Sequence, residues 1–305
     1  MKVMVTGGAG FIGSHIVHLL VSMGIETIVI DNFSTGRLDH LPEGIKYYKA
    51  NIVSIKIREI FAVEKPEMVI HQAAQVDVQK SVADPFGDAM QNLLGTINVL
   101  TCCRDYGVEK IIYASSCAVY GETHTISITE AHPIQPLSFY GLSKYNGEQY
   151  VRLFQQVYGL RYTILRYANV YGPRQSSNGE GAVIPVFITK LLAGESPVIY
   201  GEGVQTRDFV FVTDVARANF LALQRGDNTT VNIGTNNKAS INELYQMIAN
   251  ALSSPLLPVH QPMKKGDLLF SCLQCDHANE VLEWQPGIGL EEGLGSTIRF
   301  YKERR

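Results

Sequence analysis

The chain has 305 residues, 46% of them hydrophobic and 18% charged, with a formal net charge of −3. That is enough apolar material for a large core spread over more than one domain. No block of like charge gives an electrostatic footprint for nucleic acid, and no apolar run approaches the ~18 residues of a membrane span. The five cysteines, Cys102, Cys103, Cys117, Cys272 and Cys275, are odd in number and irregularly spaced, which argues against a disulfide framework and fits a reducing compartment. Cys272 and Cys275 form a lone CxxC with no second pair, too little to read as a metal site. No basic leader precedes the first apolar run, so the chain is expected to be cytoplasmic.

Short apolar runs alternate with helical patterns through the first half. Lys2–Thr6 (KVMVT) reads as a strand, 13–23 as a helix, 26–30 and 45–50 as strands, and Met68–His71 (MVIH) as another. A long helix is expected over 86–106, then a strand at 110–114, a helix over 140–158 and a strand at 162–166. Alternation of this kind predicts a doubly wound parallel sheet, an α/β Rossmann fold. After Tyr171 comes a polar, Gly-rich stretch (GPRQSSNGEG), and later segments are shorter with more Pro. A helix is expected over 184–192, a short strand at 197–200, a helix over 213–224 and a strand at 231–234. Residues 1–171 are therefore expected to form the first domain, with 207–235 packing back on it, and 172–305 a smaller α/β domain.

The first strand runs into Gly7-Gly8-Ala9-Gly10-Phe11-Ile12-Gly13, a GxxGxxG turn that opens a helix. Glycines there permit a tight turn and close approach of backbone N–H groups to a pyrophosphate, and the helix N-terminus favours its charge. Asp31 ends the second strand, 18 residues past Gly13, where a carboxylate accepts both ribose hydroxyls and repels a 2′-phosphate. Arg37 lies close enough to act in the opposite sense. On balance the turn is expected to hold NAD.

Tyr140 and Lys144 in YGLSK are four apart and share a helix face. A phenol titrating near ~10 is a poor base at neutral pH, but an adjacent ammonium and a positive nicotinamide ring would favour the phenolate. Such a tyrosine can take a proton from a sugar hydroxyl, while Lys144 holds the nicotinamide ribose.

At this point the chain resembles the extended short-chain dehydrogenase/reductase superfamily, and within it the UDP-glucose 4-epimerase-like group. The matching stretches are TGGAGFIGSH, DNFSTG, HQAAQVDVQKSVADP, NLLGTINVL, YASSCAVYG, YGLSK, RYANVYGPRQ and GEGVQTRDFVFVTDV. The resemblance implies that Ser116, after the KIIYA strand, passes the proton between the sugar O4 and Tyr140. Cofactor contacts would fall on Gly7, Gly10, Phe11, Ile12 and Gly13, then on Asp31, Asn32, Ser34, Thr35 and Gly36. Further contacts would fall on Asn51 and Ile52 beside the adenine, and on Ala73, Ala74, Gln75, Asn92, Lys144 and Tyr167. Asn51 stands where relatives usually have Asp, and its oxygen can still accept the adenine amino group.

For the nucleotide-sugar, the resemblance places Asn169 at the diphosphate, Val183, Val198 and Tyr200 around the uracil, and Arg207 at a phosphate. Lys264 replaces a family Arg, keeping the charge without the planar fork, and Asp267 would accept the uridine ribose hydroxyls. Gln274 and His277 depart from a usual Asp and Lys. Related dehydratases carry an acid just after the catalytic Ser or Thr, and here Cys117-Ala118 follow, so a 4-epimerase is expected. A small Ser271, where relatives with a bulky residue exclude N-acetylated sugars, implies acceptance of UDP-GlcNAc and UDP-GalNAc. Silent NAD-binding relatives lose the Tyr or Lys, whereas Ser116, Tyr140 and Lys144 all stand here. Family members commonly form homodimers through the two long helices.

Overall fold

A computed structural model of the chain describes residues 1–122, 127–177, 182–262 and 269–304. The chain begins with β1 (Lys2–Thr6), α1 (Phe11–Ser22), β2 (Glu26–Asp31), β3 (Lys46–Lys49), α2 (Lys56–Glu64) and β4 (Met68–His71). Next come α3 (Val78–Ala83), α4 (Pro85–Ala89), α5 (Gly95–Asp105), β5 (Lys110–Ser116), α6 (Phe139–Tyr158), β6 (Arg161–Tyr167) and β7 (Asn169–Tyr171). The later part holds α7 (Val183–Leu192), β8 (Val198–Tyr200), β9 (Thr206–Arg207), β10 (Phe209–Phe211), α8 (Val212–Ala222), β11 (Thr229–Ile233) and β12 (Ala239–Ser240). It ends with α9 (Ile241–Leu252), β13 (Val259–Gln261), α10 (Asp276–Leu282) and α11 (Leu290–Glu303).

Seven parallel strands form the central sheet in the order β11-β6-β5-β4-β1-β2-β3. This is the doubly wound order with one strand added at the β6 edge. Strand reversal between β1 and β4 opens a crevice at their C-terminal ends, where Gly7 and Ala73 lie. One face packs on α1 and α8 through Ile16, Val17, Leu20, Val215 and Ala218. The other packs on α2, α5 and α6 through Phe61, Val99, Leu100, Val151 and Phe154. With both faces covered, the strands read as continuous apolar runs rather than alternating ones. A third core joins α7, α9 and α11 through Phe187, Ile188, Leu244, Ile248, Leu294 and Ile298.

Local sequence explains most boundaries. Ser138 caps α6 by accepting the Gly141 N–H at 3.0 Å, and Gly159 ends it in the left-handed region at φ 74°. Ser240 and Glu243 form a reciprocal capping box on α9. The helix expected over 86–106 is a correction: α4 passes into a π-helical turn, Met90–Leu94, before α5. A helical period cannot reveal the turn's extra residue, which sets Asn92 into the interior. Helix α2 also carries no expectation above, although its buried face is Ile57, Ile60 and Phe61.

Candidate active site

The glycine turn is shaped by contacts that leave no room for side chains. Gly7 sits at φ 69°, and a Cβ there would stand 2.7 Å from the Ala73 nitrogen; at Gly13 it would meet the Gly7 carbonyl oxygen at 2.1 Å. Among the described residues no side chain caps α1, whose N-cap is Gly10. Its first-turn N–H groups at Phe11, Ile12 and Gly13 therefore face the crevice with the positive end of the helix dipole. Such a cradle fits a dinucleotide pyrophosphate.

Asp31 is buried at the end of β2. Its Oδ2 accepts the Ala9 N–H at 2.9 Å and its Oδ1 the Phe33 N–H at 2.7 Å. The carboxylate thus ties the glycine turn to the 32–36 loop and keeps lone pairs for ribose hydroxyls. Asn32 accepts the Ser34 N–H at 2.9 Å, and a Cβ at Gly36 would come within 3.0 Å of Ala9 and Asp31. Arg37 is engaged by Asp39 in a bidentate pair at 2.9 and 3.0 Å, which weakens its claim on a 2′-phosphate. Asn51 Oδ1 accepts the Val53 N–H at 3.1 Å, leaving a second lone pair for an adenine amino group. Ile52 is buried against Gly95.

The loop after β4, which carries Ala73, Ala74 and Gln75, is locked to the π turn. Gln75 N–H donates to Asn92 Oδ1 at 2.7 Å, and Asn92 Nδ2 returns to the Gln75 carbonyl at 2.9 Å. Asn92 Nδ2 also reaches Asp88 Oδ1 at 3.0 Å and Ser143 Oγ at 3.2 Å, one residue before Lys144. Beneath them runs a buried chain that the sequence reading missed. Thr96 donates its hydroxyl to the Asn92 carbonyl at 2.6 Å, so its oxygen must accept from His71 Nε2 at 3.0 Å. His71 Nδ1 then accepts from Thr6 Oγ1 at 2.6 Å. Burial drives this imidazole down to about 3, so it stays neutral. Its place at the end of β4, just before the loop, was the available signal. Tyr167 turns its hydroxyl into a buried knot with Gln72 and Asn219.

Ser116 ends β5 with its Oγ accepting the Ala118 N–H at 3.2 Å, and the Tyr140 hydroxyl lies close to it from the first turn of α6. Lys144, one turn on, is 4% exposed and donates from Nζ to the Ala114 carbonyl at 2.8 Å. Burial pushes the Tyr140 phenol up to about 12, with the Ser116 hydrogen bond pulling against it. A phenolate at this position is favoured by positive charge, from Lys144 or from a bound ligand. Burial lowers the Lys144 ammonium to about 8, opposed by Asp88 and Glu148. Behind the pair, Glu148 accepts from Ser115 Oγ at 2.6 Å and from Arg166 at 2.7 and 2.8 Å, fixing the end of β5.

On the other side of Ser116 the chain brings in its C-terminal part. The Cys117 thiol lies close to Ser271 and Ser116, so Tyr140, Ser116, Cys117 and Ser271 gather at one place. Asp208 fastens this segment, accepting the Leu273 N–H at 3.1 Å and the Thr235 hydroxyl at 2.6 Å; burial raises its carboxyl to about 6. Arg207 lies beside Asp208 on β9, while the Asn169 N–H donates to the Asp208 carbonyl at 2.9 Å. Val183 opens α7, and Val198 and Tyr200 bound β8, which pairs with β13. A cavity of roughly 530 Å³ beside them is lined by Gly201, Gln205, His260, Gln261 and Leu269. Lys264 and Asp267 lie outside the described residues. Gln274 bonds to Asp276, and His277 is taken up by Thr229.

Comparison with known proteins agrees with this geometry. The model of the NAD dependent epimerase/dehydratase family matches residues 3–234. A putative UDP-glucose 4-epimerase of Methanocaldococcus jannaschii is 44% identical over 301 residues, 98% of each chain. Among solved structures, the UDP-glucose 4-epimerase of Thermotoga maritima with UDP-glucose superposes with a TM-score of 0.98 at 41% identity, covering 100% of this chain and 99% of that one. A UDP-N-acetylglucosamine 4-epimerase of Methanobrevibacter ruminantium gives 0.95 at 34% identity, with the same coverage.

Proposed function

Because the chain belongs to the NAD-dependent epimerase/dehydratase family, with NAD as its cofactor, we propose that it is an isomerase interconverting UDP-hexoses at C4, with Ser116, Tyr140 and Lys144 as its catalytic residues. The observation that carries this reading is the approach of Tyr140 to Ser116 at the end of β5, followed by Cys117-Ala118 with no acid. Bound NAD supplies a positively charged nicotinamide ring that favours the Tyr140 phenolate and acts as two-electron acceptor and donor. Ser116 takes the proton of the sugar 4-hydroxyl and hands its own to Tyr140; on the return the transfers reverse, so no proton need reach solvent. Between the two, the 4-keto sugar turns over about its diphosphate linkage. Lys144 uses one of its three N–H donors on Ala114, which leaves two for the nicotinamide ribose. Elimination of water would require an acid next to Ser116, and a thiol raised by burial is a poor one.

We assign NAD binding to residues 1–171 with 207–235, and the nucleotide-sugar to the rest of 172–305. Asn169 and Arg207 would hold the diphosphate, Val183, Val198 and Tyr200 the uracil, and Lys264 and Asp267 the uridine end. A residue as small as Ser271 would leave room for an N-acetyl group, a reading in keeping with the acetylated substrate named for the Methanobrevibacter relative. The pure protein incubated with UDP-galactose, without added NAD, is expected to yield UDP-glucose by sugar NMR. A 4-keto-6-deoxy product would instead make it a dehydratase, and no change would make it a silent binder. The same assay with UDP-GlcNAc tests Ser271, and no turnover there removes that part of the proposal.

A homodimer is also proposed. Leu142, Tyr150, Leu153 and Val157 project from one face of α6, and Phe86 and Leu94 lie on the adjoining α4 and π turn, all exposed. An apolar stripe of this kind suits a second copy packing helix on helix. Sedimentation equilibrium should give twice the chain mass and Leu153→Glu a single one; a monomeric parent at micromolar concentration would exclude the dimer. The five free cysteines support a reducing, cytoplasmic setting.

A further inference from the structure

Asp88 lies in α4, away from every motif the proposed reaction uses, yet it is among the most buried carboxylates of the chain at 2% exposure. Its Oδ1 accepts from Gln75 Nε2 and Asn92 Nδ2, both at 3.0 Å. Its Oδ2 is buried with no hydrogen-bond partner among the described residues. An uncompensated carboxylate oxygen is costly to bury, so a nearby positive charge is the natural explanation. Asn92 bridges Asp88 directly to Ser143, the residue before Lys144.

The other groups facing the Lys144 ammonium do not meet its need for a counter-charge. Tyr113 of β5 presents its ring face at 5.3 Å and is held protonated by burial. His71 of β4 is neutral, and Tyr140 is a phenol unless a ligand draws it down. Glu148 is already engaged by Arg166 and Arg152 at 2.7 and 3.0 Å. Among the described residues no arginine or lysine engages Asp88 Oδ2, and Asp88 favours the ammonium form of Lys144.

We propose that Asp88 is a positioning residue of the reaction: its carboxylate is the counter-charge that keeps the buried Lys144 an ammonium, and through Gln75 and Asn92 it fixes the loop that walls the cofactor crevice. The proposal rests on the catalytic reading of Tyr140 and Lys144 given above. Asp88 also disfavours a Tyr140 phenolate, so its removal has opposed effects on the rate at neutral pH. The informative readouts are the lysine titration and the alkaline limb of the rate.

The test uses holoenzyme labelled with ε-¹³C lysine, the Lys144 resonance being identified by its loss in Lys144→Met. In Asp88→Asn the Lys144 titration should move down by about one pH unit or more, as expected for loss of an opposite charge nearby. The alkaline limb of kcat against pH should fall with it. If Asp88→Asn does not fold, Asp88→Ser removes the same charge and is read in the same way. A Lys144 titration unchanged by either substitution overturns the proposal. If instead Lys144→Met keeps full turnover while Asp88→Asn still shifts the lysine resonance, the counter-charge stands and the catalytic reading of Lys144 fails.

Discussion

Replacing Tyr140 with Phe is expected to lower kcat for UDP-galactose by about 10²–10⁴, the usual worth of a positioned proton carrier, while the protein keeps its fold and its NAD. The substitution removes one oxygen. The ring remains in the first turn of α6, where the Tyr140 N–H donates to Ser81 Oγ at 3.1 Å and Ser138 caps the helix. What is lost is the hydroxyl beside Ser116, and no neighbour among the described residues replaces it. The Cys117 thiol is raised by burial, and the Tyr113 hydroxyl points to the Lys144 carbonyl at 3.3 Å. Steady-state rates together with NAD released on denaturation separate the two readings of a dead variant. Loss of turnover with full NAD content is the signature of a missing base. A Tyr140→Phe enzyme at the parent rate would remove Tyr140 from the chemistry, and with it the case for Ser116 as its relay.

What could be read in advance had either a period or a motif behind it. The alternation of KVMVT, MVIH and KIIYA with helical stretches gave the parallel sheet, because strands covered on both faces must be apolar throughout. The glycine turn and Asp31 were legible because a close backbone approach leaves few residue choices. Single buried polar residues carry no such pattern. Asp88, His71 and Asn219 sit inside ordinary amphipathic or apolar segments, and their partners lie elsewhere in the chain, as with Gln72 and Asn219, 147 positions apart. The π turn was hidden for a related reason, since it adds a residue without changing composition. In the last third, β9 and β12 have two residues each and β13 three, too few for any alternation to register. The meeting of Ser271 with Cys117 depends on Asp208 pinning Leu273, a contact across 65 positions that local signals do not encode.

Gly13→Ala should abolish NAD retention and destabilise the protein, where Gly295→Ala should do neither. At Gly13 the added Cβ would lie 2.1 Å from the Gly7 oxygen and 2.9 Å from the Gly7 carbon and Gly8 Cα. All three are backbone atoms of the turn itself, so no side chain can rotate away. Relief requires α1 to back off from the turn, yet α1 is held from behind by Ile16, Val17 and Leu20, all fully buried. Overpacking of this sort costs about 1–3 kcal/mol or more, and whatever movement relieves it shifts the first-turn N–H groups off the pyrophosphate. Gly295 lies in α11 with no atom within 4 Å of its Cβ position, where alanine should add about 0.5–1 kcal/mol through helix propensity. The NAD dissociation constant should rise at least about tenfold in Gly13→Ala, since loss of a 1.4 kcal/mol interaction already weakens binding by that factor. In Gly295→Ala it should match the parent, with an equal or higher Tm. A Gly13→Ala protein that purifies with full NAD would mean that the glycines do not set the cradle, and that Asp31 and the Gln75–Asn92 lock hold the cofactor without them.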